Sequence, residues 1–104
     1  MTDAKSGLGR IAVVTGGGRG IGRAVAESLS ADGWAVVVCG RTAADLDATV
    51  GSLPGEGLAV VADVSDADDV ERLFSAVDDR YGRIDLLFNN AGIAAPPVPI
   101  DELP

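Results

Sequence analysis

The sequence has no histidine and only one cysteine, Cys39, and these two scarcities exclude several kinds of site. Without histidine there is no Ser-His-Asp or Cys-His catalytic arrangement and no imidazole metal ligand. A single cysteine forms no disulfide within one chain and no cysteine metal cluster. Because Cys39 lies in the apolar run VVVC, we expect its thiol to be buried and inert.

Long apolar runs and targeting patterns are also missing. No stretch of about 18 apolar residues and no signal-peptide pattern is present, so we expect a cytoplasmic protein that does not bind a membrane. The formal net charge of −8 argues against a nucleic-acid partner, because the phosphates would be repelled. Residues 1–41 nevertheless carry a net charge of +2 and residues 42–104 one of −10. This distribution is compatible with an anionic ligand near the start of the chain, and equally with scattered surface arginines.

The rest of the chain alternates short apolar runs with helix-like segments. The apolar runs predict buried strands at residues 11–14, 35–39, 58–62 and 85–89. The segments between them predict a helix from Gly20 to about residue 31, a helix over residues 42–50 and a third that ends near residue 81. The expected N-caps of the second and third helices are Thr42 and Ser65. An apolar stripe at helical spacing marks the buried face of the third helix: Val70, Leu73, Phe74, Val77 and Tyr81.

This order of elements predicts an α/β fold with a parallel, Rossmann-like sheet. Strands without polar alternation need cover on both faces, and helices provide it. Right-handed crossovers in the usual nucleotide-fold arrangement give the strand order 3-2-1-4. The first two helices then lie on one face and the third on the other. We expect one domain over residues 10–104, preceded by a leader at residues 1–9.

The glycine-rich segment TGGGRGIG, residues 15–22, stands between the first strand and the first helix. A glycine-rich turn in this place is typical of a phosphate site, because backbone N–H groups and the helix dipole favour an anion there. The P-loop pattern GxxxxGK[ST] and the GxGxxG pattern in its usual register are both absent. The glycines instead follow the spacing of Gly16, Gly20 and Gly22, directly after Thr15.

With this spacing the sequence resembles the short-chain dehydrogenase/reductase family. Residues 15–22 match its cofactor motif TGxxxGxG, residues 89–92 match its NNAG segment, and Asp63 with Val64 match its Asp-Val-like pair after the third strand. The resemblance covers the chain from about residue 10 onward. It implies hydride transfer between a nicotinamide cofactor and a carbonyl or alcohol.

The resemblance also implies which residues contact the cofactor. The glycine turn would hold the pyrophosphate and ribose, with the backbone of Ile21 at the phosphate. Asp63 would accept a hydrogen bond from the adenine amino group, and the segment from Asn90 would line a ribose, while Asn89 stabilises the sheet. The full set of expected cofactor-binding residues is Gly16, Gly18, Arg19, Gly20, Ile21, Gly22, Arg41, Asp63, Val64, Asn90, Ala91 and Gly92.

The end of the second strand favours NADP(H) over NAD(H). A cofactor with free ribose hydroxyls suits an acid about 20 residues past the glycine loop, where a carboxylate accepts from both hydroxyls. Here Gly40 takes that place, Arg41 follows, and the next acid is Asp45. A guanidinium suits the extra 2′-phosphate of NADP(H), and Arg19 is a second candidate for the same group.

The family's catalytic residues cannot be placed in this sequence. They are a serine, a Tyr-x-x-x-Lys pair and an asparagine, all beyond the NNAG segment. The only tyrosine, Tyr81, has Asp85 four residues on, and the only lysine is Lys5. We therefore expect no catalytic residue and no metal site, and a chain that is inactive alone.

Three hypotheses fit this pattern. The first is the cofactor-binding part of a truncated NADP(H)-dependent reductase. The alternatives are a stand-alone, non-catalytic NADP(H)-binding module and one part of a split enzyme. In the isolated chain, the fourth strand and third helix lack the cover that the family gives them. We therefore expect the isolated chain to be marginally stable and to self-associate through these surfaces.

Overall fold

The computed structural model describes residues 9–90, and within them strands and helices alternate as predicted. The elements are β1 (Ile11–Thr15), α1 (Gly20–Ala31), β2 (Ala35–Gly40), α2 (Ala43–Ser52), β3 (Gly57–Val61), α3 (Ala67–Tyr81) and β4 (Leu86–Asn89). The strands form one parallel sheet in the order β3-β2-β1-β4, which confirms the predicted topology. Residues 1–8 of the expected leader lie outside the described residues.

The two central strands supply the core on both faces of the sheet. Every residue of β1 is buried, and in β2 only the terminal Gly40 is partly open. Alternate side chains point to opposite faces. One face packs against α1 and α2 through Val14, Val36, Val38, Ala26 and Leu46. The other packs against α3 through Ile11, Val13, Val37, Cys39, Leu73, Val77 and Tyr81. The helices therefore divide two and one between the faces, as expected from the crossovers.

The start of α3 differs from the prediction. Asp66, not Ser65, is the N-cap, and its side chain accepts hydrogen bonds from two N–H groups of the first turn, at 2.9 and 3.3 Å. The Ser65 hydroxyl donates instead to Asp63 Oδ1 at 2.6 Å, so it is not available to the helix. Thr42 occupies the predicted N-cap position of α2, but its side chain makes no capping hydrogen bond.

The fourth strand lies at the edge of the described sheet and is fixed at its start. The N–H of Asp85 donates to the carbonyl of Ile11 at 2.8 Å, and the N–H of Ile11 donates to Asp85 Oδ2, also at 2.8 Å. Apolar side chains remain open nearby, since Ile84 is 38% exposed and Leu86 37%. No helix between residues 9 and 90 is long and apolar enough to cross a membrane.

Candidate functional site

A cleft of about 420 Å³ lies at the carboxyl ends of β1, β2 and β3. In a parallel sheet these ends meet along one edge, which is where open α/β sheets bind ligands. The cleft is lined by Gly16, Gly18, Arg19, Gly40, Arg41, Thr42, Asp45, Leu46, Ala62, Asp63, Val64 and Ser65. The fold thus brings together, from three separate loops, six of the twelve expected cofactor-binding residues: Gly16, Gly18, Arg19, Arg41, Asp63 and Val64.

The glycine turn has a shape that side chains would prevent. Gly16 and Gly20 have φ angles of 67° and 63°, in the left-handed region that disfavours other residues. Gly22 has a different reason, because a Cβ built on it would lie 2.1 Å from the carbonyl oxygen of Gly16. The first turn of α1 therefore passes directly against the end of β1, an approach that only glycine permits.

The helix that opens from this turn is not capped by a side chain. Arg19 is the N-cap of α1 and makes no capping hydrogen bond, and the first turn holds no acidic residue. No heavy atom lies within 4 Å of where a Cβ of Gly20 would be, so the space above the turn is open. The Ile21 side chain beside it is 64% exposed. Open N–H groups at the positive end of a helix suit an anion.

The glycine turn is held from behind by α2, a feature that the sequence analysis missed. The Thr49 hydroxyl, fully buried, lies 2.9 Å from the carbonyl oxygen of Gly17 and 3.2 Å from that of Gly18. A signal was present, because Thr49 falls at helical spacing within the apolar positions Leu46, Val50 and Leu53 that pack on the sheet. A polar residue in such a stripe needs a buried partner.

Arg41 is distinct among the arginines of the described chain. Within residues 9–90 it has no carboxylate oxygen within 4.0 Å, whereas each of the other arginines there forms an ion pair. Arg19, the second cation of the cleft, pairs with Asp45 at 3.7 Å and its side chain is 85% exposed. The cleft therefore presents one guanidinium without a carboxylate partner and one that is weakly paired, both able to meet an anion.

Asp63 is held in place where the chain leaves β3. Its Oδ1 accepts from the hydroxyl and N–H of Ser65, at 2.6 and 2.9 Å, and its own N–H donates to Asp69 Oδ2 at 2.8 Å. The hydrogen bonds from Ser65 lower the pKa of Asp63 below its ordinary value, with a smaller contribution from the charge of Arg41. The carboxylate is thus ionised near neutral pH and acts as an acceptor.

The end of β4 lies beside the glycine turn. The Thr15 hydroxyl is 2.9 Å from Asn89 Oδ1, which ties β1 to β4 and agrees with the structural role expected of Asn89. The Asn90 side-chain nitrogen lies 3.1 Å from the position of a Cβ on Gly22. Asn90 is therefore near the turn but does not line the cleft, and Ala91 and Gly92 lie outside the described residues.

The two titratable groups with large pKa shifts are not suited to proton transfer. Burial, then the nearby Glu56 carboxylate, raises the pKa of Tyr81 to about 12, and its hydroxyl donates to Glu56 at 3.1 Å in the core under α3. Burial raises the pKa of the Cys39 thiol to about 11. Both shifts oppose a reactive anion near neutral pH. No cluster of acidic residues and cysteine within residues 9–90 could hold a metal.

Comparison with known proteins gives one consistent family. Residues 10–104 match the family model described as short chain dehydrogenase. A 3-oxoacyl-(acyl-carrier-protein) reductase of Synechocystis sp. is 44% identical over 88 residues, which are 81% of this chain and 36% of that protein. A monensin polyketide synthase putative ketoacyl reductase of Streptomyces virginiae is 46% identical over 95 residues, 88% of this chain and 35% of the relative. The chain thus spans about a third of the length of these relatives.

A solved structure agrees in fold. An actinorhodin polyketide ketoreductase variant solved with NADPH superposes with a TM-score of 0.77 at 38% identity, over 80% of this chain and 33% of that one.

Proposed function

The chain belongs to the short-chain dehydrogenase family, and from that membership we propose that it forms the NADP(H)-binding part of an oxidoreductase. The reaction is hydride transfer between the nicotinamide and a carbonyl or alcohol, with the hydride supplied or accepted by the bound cofactor. The observation that carries the choice of NADP(H) is the guanidinium of Arg41, unpaired among residues 9–90 and placed on the cleft just after β2.

The residues of the cleft fit the parts of this cofactor. The turn from Gly16 to Gly22 would receive the pyrophosphate, because its backbone approaches closely and α1 opens there without a side-chain cap. Arg41, assisted by Arg19, would bind the 2′-phosphate. Asp63, whose carboxylate is an acceptor, would bind the adenine amino group with Val64 beside it. Outside the cleft, Asn90 beside the glycine turn would line a ribose together with Ala91 and Gly92, as the family resemblance implies.

Two features support NADP(H) over NAD(H). Gly40 stands at the end of β2, where a carboxylate would bind ribose hydroxyls, and beside it Arg41 is exposed towards the cleft. A carboxylate at that place would repel a 2′-phosphate, whereas a guanidinium forms charge-assisted hydrogen bonds with it.

The proton-transfer residues of this oxidoreductase would come from outside the described residues. Tyr81 is a poor candidate, since its proton is held tightly and it does not line the cleft. The chain spans about a third of its curated relatives, and the reaction of the whole protein is part of this proposal. The open apolar residues Ile84 and Leu86 support contact between the α3–β4 side and further protein, including a second copy of this chain.

Arg41→Asp is the test of the proposed cofactor. Charge-assisted hydrogen bonds contribute about 1.5–3 kcal/mol, so we expect the affinity for NADPH to fall about 10- to 100-fold and that for NADH to stay or rise. Affinities are measured from the fluorescence of the bound reduced nicotinamide. The control is Arg83→Asp, which makes the same charge change away from the cleft. Arg83 lies near the amino end of β4, whereas the cleft lies at the carboxyl ends of the strands.

The outcomes separate the parts of the proposal. Unchanged preference in Arg41→Asp contradicts the role of Arg41 and the assignment of NADP(H). Absence of saturable binding of either nucleotide by the unsubstituted protein contradicts the cofactor site itself.

A further inference from the structure

The Thr49 hydroxyl is a buried polar contact between α2 and the glycine turn. It is fully buried and lies 2.9 Å from the carbonyl oxygen of Gly17 and 3.2 Å from that of Gly18. One hydroxyl proton is shared between two acceptors, as in a three-centre hydrogen bond. Thr49 therefore fixes the direction of two successive carbonyl groups in the turn.

Fixing these carbonyls also fixes the N–H groups that follow them. A trans peptide is planar, with its C=O and N–H pointing in opposite directions, and no cis peptide occurs in the described chain. With the carbonyls of Gly17 and Gly18 turned towards α2, the N–H groups of Gly18 and Arg19 point away from it. Gly18 and Arg19 both line the cleft.

Packing restrains the position of the turn but not the orientation of these peptides. A Cβ on Gly17 would lie 2.7 Å from Val38 Cβ, and one on Gly18 would lie 2.8 Å from Asp45 Cβ, so the turn sits closely against β2 and α2. Peptides flanked by glycine rotate with little steric cost. The hydroxyl of Thr49 supplies the directional contact that packing lacks.

We propose that Thr49 is a positioning residue for the cofactor: by holding the carbonyls of Gly17 and Gly18, it directs the N–H groups of Gly18 and Arg19 towards the pyrophosphate. This role rests on the proposed NADP(H) site. It predicts that loss of the hydroxyl weakens the contact with the pyrophosphate and leaves the contacts of Arg41 and Asp63 with the 2′-phosphoadenosine part unchanged.

The test compares Thr49→Val, which keeps the shape and removes the donor, with Thr49→Ser, which keeps the donor. In the full protein, we expect NADPH affinity to fall about tenfold in Thr49→Val, the equivalent of about 1.4 kcal/mol. In Thr49→Ser it should stay within about threefold, because the hydrogen bonds remain. Adenosine 2′-monophosphate, which lacks the pyrophosphate, is titrated by NMR and should bind both variants and the unsubstituted protein equally.

A merely structural role for Thr49 gives a different pattern. Binding is measured at a temperature where circular dichroism shows each variant fully folded. Equal NADPH affinity in Thr49→Val and the unsubstituted protein overturns the role of Thr49 alone. A parallel loss of NADPH and adenosine 2′-monophosphate binding also overturns it, because the defect is then general. If the unsubstituted protein binds no NADPH, the proposed function fails and this role with it.

Discussion

The close approach of Gly22 to Gly16 makes a quantitative prediction. In Gly22→Ala the new Cβ would lie 2.1 Å from the carbonyl oxygen of Gly16 and 3.1 Å from Asn90 Nδ2. Non-bonded contacts are favourable near 3.5 Å, so the two backbones must separate by roughly 1.4 Å. No rotamer change relieves a clash between Cβ and a backbone oxygen. Overpacking costs about 1–3 kcal/mol, and here we expect about 3 kcal/mol or more of the free energy of unfolding.

Two other glycines provide matched controls for the same substitution. Gly51 lies in α2 with no heavy atom within 4 Å of its Cβ position, so Gly51→Ala should stabilise the protein by about 0.5–1 kcal/mol. Gly20 has equally open space but a φ of 63°, so Gly20→Ala should cost about 1–2 kcal/mol through backbone conformation alone.

Urea unfolding of the three variants orders these effects. We expect stability to fall in the order Gly51→Ala, unsubstituted protein, Gly20→Ala, Gly22→Ala, with NADPH binding lost in the last. The close approach of Gly22 to the carbonyl oxygen of Gly16 would be refuted if Gly22→Ala and Gly51→Ala had the same urea midpoint.

Two further predictions concern stability. Asp66→Ala should cost about 1 kcal/mol by removing the N-cap of α3, more than Ser65→Ala does, and equal urea midpoints for the two variants would contradict the capping seen here. Because burial raises the pKa of Cys39 from 9.0 to about 11 and that of Tyr81 from 10.0 to about 12, the unfolded chain loses these protons first. Stability should therefore be complete below about pH 9 and fall between pH 9 and 12, with a shallower fall in Cys39→Ala; a urea midpoint independent of pH in this window would contradict it.

The strands could be predicted from sequence because few other secondary structures fit such short apolar runs. The run from Ile11 to Val14 is short, apolar on both faces and rich in β-branched residues, which favours a strand covered on both sides. Helix ends were less certain, since Ser65 and Asp66 are both good caps and adjacent in sequence. The hydrogen bond from Ser65 to Asp63 decides between them, and it depends on how the chain turns after β3.

Part of the cleft could be predicted from the order of the strands. Arg41 and Asp63 follow successive strands, and the parallel topology alone carries them to the same edge as the glycine turn. Thr49 depends on more than topology, because it meets Gly17 only when α2 lies across the turn at a particular distance. The ion pair between Arg19 and Asp45 depends in the same way on where α2 packs.

The order of the strands has a consequence for how the chain folds. The pairing of β1 with β2 joins residues 24 apart, whereas the pairing of β1 with β4 joins residues 74 apart. Closing the longer loop costs about 1 kcal/mol more in chain entropy, so β4 is expected to dock after the other three strands. All residues that line the cleft lie between Gly16 and Ser65. We therefore expect the cleft to assemble before β4 docks, and we expect a nucleotide that binds the assembled cleft before that step to speed folding.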